Sequence, residues 1–115
     1  FIPAGTAWLD GGFGTRKADP PHDVDVVVFP ADYDALGALP ESEVVDLYGL
    51  LTLQGVYVQA PPIQRPRLQP MGGMLDAFLS PEWEKMVWWD TWSSVKDESG
   101  LIVPGAVKGF VEVEW

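Results

Sequence analysis

The run DVDVVVF at residues 23–29, closed by Pro30, constrains the fold more than any other stretch of the chain. Valine and phenylalanine favour a β-strand because their side chains pack well on a pleated sheet. Side chains two residues apart in a strand point to the same face. The pattern therefore predicts that Asp23 and Asp25 lie side by side on one face, while Val24, Val26 and Val28 enter the core on the other.

The rest of the chain divides into short strands, two helices and loops, bounded by glycine and proline. Further strands are predicted at 6–10, 55–59 and 109–115, helices at about 41–53 and 82–97, and loops at 16–22 and 60–73. The order β-β-α-β-α-β is typical of an α+β domain, with a short mixed sheet packed against helices. A chain of 115 residues is expected to form one domain, residues 1–115.

The second helix has the clearest boundary signals. Ser80 is predicted to be its N-cap, with Pro81 at the first helical position. A stripe of apolar residues at three- and four-residue steps predicts its buried face. The residues of that stripe are Val87, Trp88, Trp92 and Val95. Trp89 lies off the stripe and is expected to be exposed or at an interface.

Charge and composition exclude several classes of function. The formal net charge is −10, which argues against direct binding to a nucleic-acid backbone or an anionic membrane. The absence of cysteine excludes disulfides, thiolate zinc sites and cysteine nucleophiles, and the single histidine argues against a histidine-built metal site. With no membrane-length apolar run and no visible signal peptide, a cytoplasmic protein is the expectation.

The aspartate pair and the glycines before it suggest a site. Two neighbouring carboxylates repel each other unless a cation lies between them, and paired carboxylates are a usual way of holding Mg²⁺. Gly11 and Gly12 would let backbone amides approach phosphate oxygens, with Thr15, Arg16 and Lys17 close by in sequence. The simpler alternative is a tight turn followed by an edge strand whose aspartates face water.

Gly11, Gly12, Asp23 and Asp25 fall on a signature that resembles the DNA polymerase β-like nucleotidyltransferase superfamily. That signature is a hydrophobic residue, Gly, Gly or Ser, a spacer (residues 13–22 here), and then Asp-hydrophobic-Asp-hydrophobic. The wider sequence is similar to a small bacterial and phage branch with the pattern W-x-D-G-S-F-x-T-x-K-x-x-P-x-D-I-D. The closing segments VKDESG and KGFVEVEW are also similar to that branch, so the resemblance covers most of the chain.

The resemblance implies a nucleotidyltransferase-like domain that transfers a nucleoside monophosphate from an NTP to an unknown acceptor, with Mg²⁺. Asp23 and Asp25 would be the catalytic metal ligands, and Gly11, Gly12, Thr15 and Lys17 would bind phosphate. Small members often work in toxin–antitoxin or phage-defence pairs, which implies a protein partner. The third carboxylate of such sites is expected on the strand at 55–59, where Gln59 stands instead of an acid.

Gln59 keeps alternatives open, because an amide is a poor base for activating a hydroxyl. One alternative is a catalytically degenerate acidic module, antitoxin-like or an inhibitor, that acts through a protein partner. Another is a globular domain whose aspartates bind nothing.

The remaining candidates favour simpler interpretations. Glu112 and Glu114 are expected on the solvent face of the last strand, His22 in a local hydrogen bond, and Arg65 and Arg67 in solvated loop positions.

Overall fold

The computed structural model describes residues 2–11, 23–52, 74–97 and 99–115. These residues form six strands and two α-helices, with short 3₁₀ turns at Asp34–Ala38 and Glu82–Glu84. The elements in chain order are β1 (Gly5–Gly11), β2 (Val24–Pro30), α1 (Glu41–Leu50), β3 (Leu75–Leu79), α2 (Lys85–Trp92), β4 (Ser94–Lys96), β5 (Ile102–Val107) and β6 (Val111–Glu114).

The strands form two sheets. The larger is a mixed sheet in the order β3-β2-β1-β6, in which β1 runs antiparallel to both β2 and β6 while β2 and β3 are parallel. The smaller is an antiparallel pair of β4 and β5. The predicted α+β class with a short mixed sheet is confirmed.

The core lies on the face of the large sheet that carries Val27 and Phe29, both fully buried. Trp8 of β1 packs edge-on against Phe29, and Trp92 of α2 completes the buried cluster. Aromatic rings in edge-to-face contact add to the stability that their buried area provides. The helix α2 therefore covers this face of the sheet.

The β2 side chains divide between the two faces as predicted, but the face that enters the core is the one that carries Asp25, not the one that carries Val24, Val26 and Val28. Asp25 lies on the same face as Val27 and Phe29, because side chains alternate along the strand. Val26 and Val28 lie on the opposite face, where they line an apolar cavity together with Leu47 of α1. Apolar residues of β2 thus lie on both faces of the sheet. Asp25 projects from the buried face and not from a solvent-exposed one.

The described helices are shorter than the sequence pattern suggests. The helix α1 ends at Leu50 instead of residue 53, and α2 ends at Trp92 instead of residue 97. The hydroxyls of Ser93 and Ser94 donate to the carbonyls of Trp89 and Asp90, at 2.6 Å each. Such bonds compete with continuation of a helix, and the chain instead enters β4.

The predicted buried stripe is only partly right. Trp92 is buried and Trp88 half-buried, whereas Val87 is exposed and Val95 lies in β4. Trp89 is half-exposed, as its position off the stripe predicts.

Ser80 does not act as the N-cap that the sequence predicts. Its hydroxyl instead connects β3 to α2. The buried Ser80 Oγ donates to the Glu84 carboxylate at 3.0 Å and accepts a hydrogen bond from the Trp88 indole at 2.9 Å. These two bonds satisfy a buried hydroxyl, which would otherwise destabilise the fold.

The sequence pattern does not predict the strands β3 and β5, and it places β4 within the second helix; the predicted strand at 55–59 lies outside the described residues. No helix in the described part of the chain is both long enough and apolar enough to span a membrane.

Candidate functional site

Three aspartates lie opposite one another on neighbouring strands of the large sheet. Asp10 of β1 is the register partner of Asp25 of β2, and Asp25 is the register partner of Asp76 of β3. Directly opposite residues share a face, and across an antiparallel pair their Cβ atoms are about 5 Å apart. We call Asp10, Asp25 and Asp76 the aspartate row.

Asp10 is the most buried member of the row, with 6% of its surface exposed. Its Oδ2 accepts a hydrogen bond from Lys108 Nζ at 2.7 Å, and its Oδ1 finds no hydrogen-bond partner among the described residues. The backbone N–H of Lys108 donates to Ser93 O at 2.8 Å, which ties the segment between β5 and β6 to the end of α2. Lys108 thus partly neutralises the row from the α2 side.

Asp25 is the central member of the row, and its environment raises the pKa of its carboxyl group. Partial burial is the largest cause, followed by the negative charges of Asp23, Asp76 and Asp10, while Lys108 acts in the opposite direction. Ionised Asp25 is therefore surrounded by more negative than positive charge. A cation bound beside it would relieve this repulsion.

Asp25→Asn is expected to stabilise the unliganded protein at neutral pH. Because the folded state raises the pKa of Asp25 above its ordinary value of 3.8, the folded chain holds this proton more tightly than the unfolded chain does. The wild type therefore loses stability as pH rises from the pKa of Asp25 in the unfolded chain to its higher pKa in the folded chain. The variant has no carboxyl group at this position and avoids the loss. Thermal unfolding should show a higher Tm than wild type at pH 7 and no gain near about pH 3, where the wild-type carboxyl is also neutral.

The exposed Asp34→Asn is the control for this measurement, and it should show no such pH-dependent gain. A lower Tm for Asp25→Asn than for wild type at pH 7 would contradict the expectation.

Asp76 is the acidic residue that the sequence patterns did not identify. Its Oδ1 accepts a hydrogen bond from Thr52 Oγ1 at 2.9 Å, and that same oxygen of Thr52 accepts from Ala77 N at 3.0 Å. Thr52 thereby fixes the start of β3 beside the end of α1. The available signal was the apolar run LDAFL at 75–79, bounded by Gly72-Gly73 and Ser80-Pro81, with one acid inside it.

Glu112 and Glu114 do not supply a third carboxylate beside β2. Their strand β6 pairs with β1, and both side chains are exposed as predicted, although Glu112, the register partner of the buried Trp8, lies on the sheet face that α2 covers. Glu112 Oε2 instead accepts a hydrogen bond from Trp8 Nε1 at 2.6 Å.

A cavity of about 320 Å³ opens beside the aspartate row. Asp10, Asp25 and Lys108 line it together with residues from the end of α2 to β4. Those residues are Thr91, Trp92, Ser94, Val95 and Lys96. The volume lies at the lower end of the range for small-molecule sites, and the lining combines ammonium, hydroxyl and carboxylate groups.

Several predicted site residues have no described surroundings. Gly12, Thr15, Lys17, His22, Gln59, Arg65 and Arg67 lie outside the described residues. Gly11 is the last residue of β1, opposite Val24, and Asp23 is exposed immediately before β2. No three acidic or histidine side chains of the described ranges are grouped closely enough to hold a metal ion by themselves.

Comparison with known proteins gives a family but no activity. No significant match was found among the curated proteins or among the solved structures. The model of a family described as "Family of unknown function (DUF6932)" matches residues 1–114. Because this match spans nearly the whole chain, the protein belongs to the DUF6932 family.

Proposed function

We propose that this protein binds an NTP with Mg²⁺ and transfers its nucleoside monophosphate to a hydroxyl acceptor. The observation that carries the proposal is the register that puts Asp25 between Asp10 and Asp76 on adjacent strands. One or two carboxylates beside a cavity are enough to hold Mg²⁺ together with water and the phosphate oxygens of a substrate. The resemblance of the LDGG and DVDV segments to the nucleotidyltransferase signature supports the same function.

The donor set fits Mg²⁺ held by two carboxylates. Mg²⁺ is commonly bound through one or two carboxylates together with water and substrate phosphates, so a complete protein cage is not required. Asp23 and Asp25 are the two carboxylates that would hold it, and Asp23 is among the charges that raise the pKa of Asp25. Bound Mg²⁺ would neutralise phosphate charge and polarise the transferred phosphoryl group.

The side chains around this pair have separate roles in the proposed reaction. Lys108 offsets the charge of Asp10 through their ion pair. Thr52 holds Asp76 in place beside β2. The cavity next to Asp25 gives space for the acceptor, whose hydroxyl oxygen would lose its proton to water and bond to the α-phosphorus as pyrophosphate leaves.

The experiment is thermal unfolding with each NTP, with and without Mg²⁺, on the wild type and on the double variant Asp23→Asn/Asp25→Asn. A ligand that binds only the folded state raises stability by about 2.7 kcal/mol at a hundred times its dissociation constant. We expect a Mg²⁺-dependent rise in Tm for the wild type and none for the double variant. Pyrophosphate release with candidate acceptors then tests turnover.

The matched control is Asp32→Asn/Asp34→Asn, which removes two exposed carboxylates at the same sequence spacing, at the start of the 3₁₀ turn. This variant should keep the full nucleotide effect. Absence of any shift in the wild type at millimolar NTP and Mg²⁺ would contradict the proposal. An equal loss in both double variants would show that net charge, and not the Asp23–Asp25 site, governs binding.

A further inference from the structure

The outward side of the segment 82–92 carries a cluster of exposed apolar side chains. Trp83 is 74% exposed, Met86 68% and Val87 66%. Their spacing of three and four residues places them in one stripe along the 3₁₀ turn and α2. We call Trp83, Met86 and Val87 the outer stripe of α2.

The outer stripe is not needed to cover the core. The core side of α2 is formed by Trp88, which packs on Phe78, and by Trp92, which packs on Trp88. Trp83 makes one described ring contact, an edge-to-face contact with Tyr33 at 5.9 Å. Clustered exposed apolar residues commonly mark interaction sites, and tryptophan is the residue that most often dominates binding energy there.

Acidic residues surround the outer stripe. Glu82 and Asp90 are exposed on the same segment, and the exposed Asp32 and Asp34 are the sequence neighbours of Tyr33, whose ring contacts Trp83. Lys85 is the cation within this segment, and it already pairs with Glu82 at 2.9 Å. The border of the stripe is therefore negative, and the chain as a whole carries −10.

The negative charge around the stripe favours some classes of binding partner and disfavours others. A second copy would bring one acidic border against another, and an anionic membrane or nucleic acid would be repelled in the same way. A partner with apolar residues in the centre and Lys or Arg at the edges has the complementary pattern. An amphipathic helix meets both requirements, because its apolar stripe packs against a helix ridge with the same spacing.

We propose that the outer stripe of α2 docks a basic amphipathic helix of a protein partner. The apolar side of that helix covers Trp83, Met86 and Val87, and its basic residues face Asp32, Asp34, Glu82 and Asp90. This interaction is separate from the proposed nucleotide site and needs neither Mg²⁺ nor NTP.

The test is calorimetric titration with a synthetic peptide of leucine and lysine, about 18 residues long and patterned as an amphipathic helix. We expect the wild type to bind it with micromolar affinity that falls with added salt. Trp83→Ser/Val87→Ser should weaken binding at least about tenfold, the equivalent of 1.4 kcal/mol. The control Leu101→Ser/Val107→Ser removes exposed apolar residues elsewhere and should leave binding unchanged.

Three outcomes would overturn the proposal. The first is no binding of the peptide to the wild type. The second is equal binding of a scrambled peptide without an apolar stripe, which would mean that charge attraction alone is measured. The third is a wild-type dimer in sedimentation equilibrium that Trp83→Ser/Val87→Ser dissociates, which would make a second copy the occupant. The Trp83→Ser/Val87→Ser variant should keep the rise in Tm with NTP and Mg²⁺. The docking proposal and the nucleotide proposal can therefore fail independently.

Discussion

Trp92→Ala is expected to lower the free energy of unfolding by about 3–5 kcal/mol, the range for removing a large buried aromatic side chain. Trp92 is 8% exposed and packs edge-on against Trp88 at 5.5 Å and Phe110 at 6.2 Å. Alanine would leave a cavity between α2 and the large sheet, and these rings would lose their contact partner. Urea denaturation followed by far-UV circular dichroism gives the change in unfolding free energy.

Trp83→Ala is the matched control, because it removes the same side chain from the outer surface of the same segment. With 74% of Trp83 exposed, its loss should change the unfolding free energy by no more than about 0.5 kcal/mol. Equal destabilisation by the two substitutions would contradict the arrangement of α2, with Trp92 inside and Trp83 outside. An undiminished stability in Trp92→Ala would contradict the described core.

The elements that local sequence patterns predicted best are the first two strands. The strand predicted at 6–10 is observed as Gly5–Gly11, and the one at 23–29 is observed as Val24–Pro30. In both, β-prone residues end at glycine or proline, which are local signals. The face of β2 that is buried is not a local property, because it depends on which helix covers which side of the sheet.

The same limit explains why the candidate site was only half predicted. Asp23 and Asp25 are recognisable from their spacing within one strand. Asp76 joins them through parallel pairing of β2 with β3, across a long connection that no turn signal defines. Lys108 reaches Asp10 across 98 positions of sequence, and no periodic pattern relates two residues so far apart.

The shortened α2 shows how tertiary pairing overrides a helical pattern. Residues 93–97 continue the apolar spacing of the helix, yet Ser94 and Lys96 pair with β5. The hydroxyls of Ser93 and Ser94 bind two carbonyls near the end of the helix, which lowers the free-energy cost of ending the helix there. Because the chain leaves the helix and enters β4, Ser94 and Lys96 line the cavity beside Asp25.

Lys108→Met is expected to destabilise the fold by about 3 kcal/mol, because it leaves the Asp10 carboxylate buried without its counter-ion. The side chains of the pair are 25% and 6% exposed, so solvent screens Asp10 poorly. Asp10 Oδ1 already lacks a described partner, and the substitution would remove the partner of Oδ2 as well. The measurement is urea denaturation at pH 7, with methionine chosen to keep most of the side-chain volume.

The double variant Asp10→Asn/Lys108→Met distinguishes a lost charge pair from lost packing. Removing both charges should recover most of the stability that Lys108→Met loses, since a neutral amide is far less costly to bury than an unpaired carboxylate. Lys85→Met is the control, because its partner Glu82 is exposed and the loss should be about 1 kcal/mol or less. If Asp10→Asn failed to rescue Lys108→Met, the contribution of Lys108 would lie in packing at the end of α2 and not in neutralising the aspartate row.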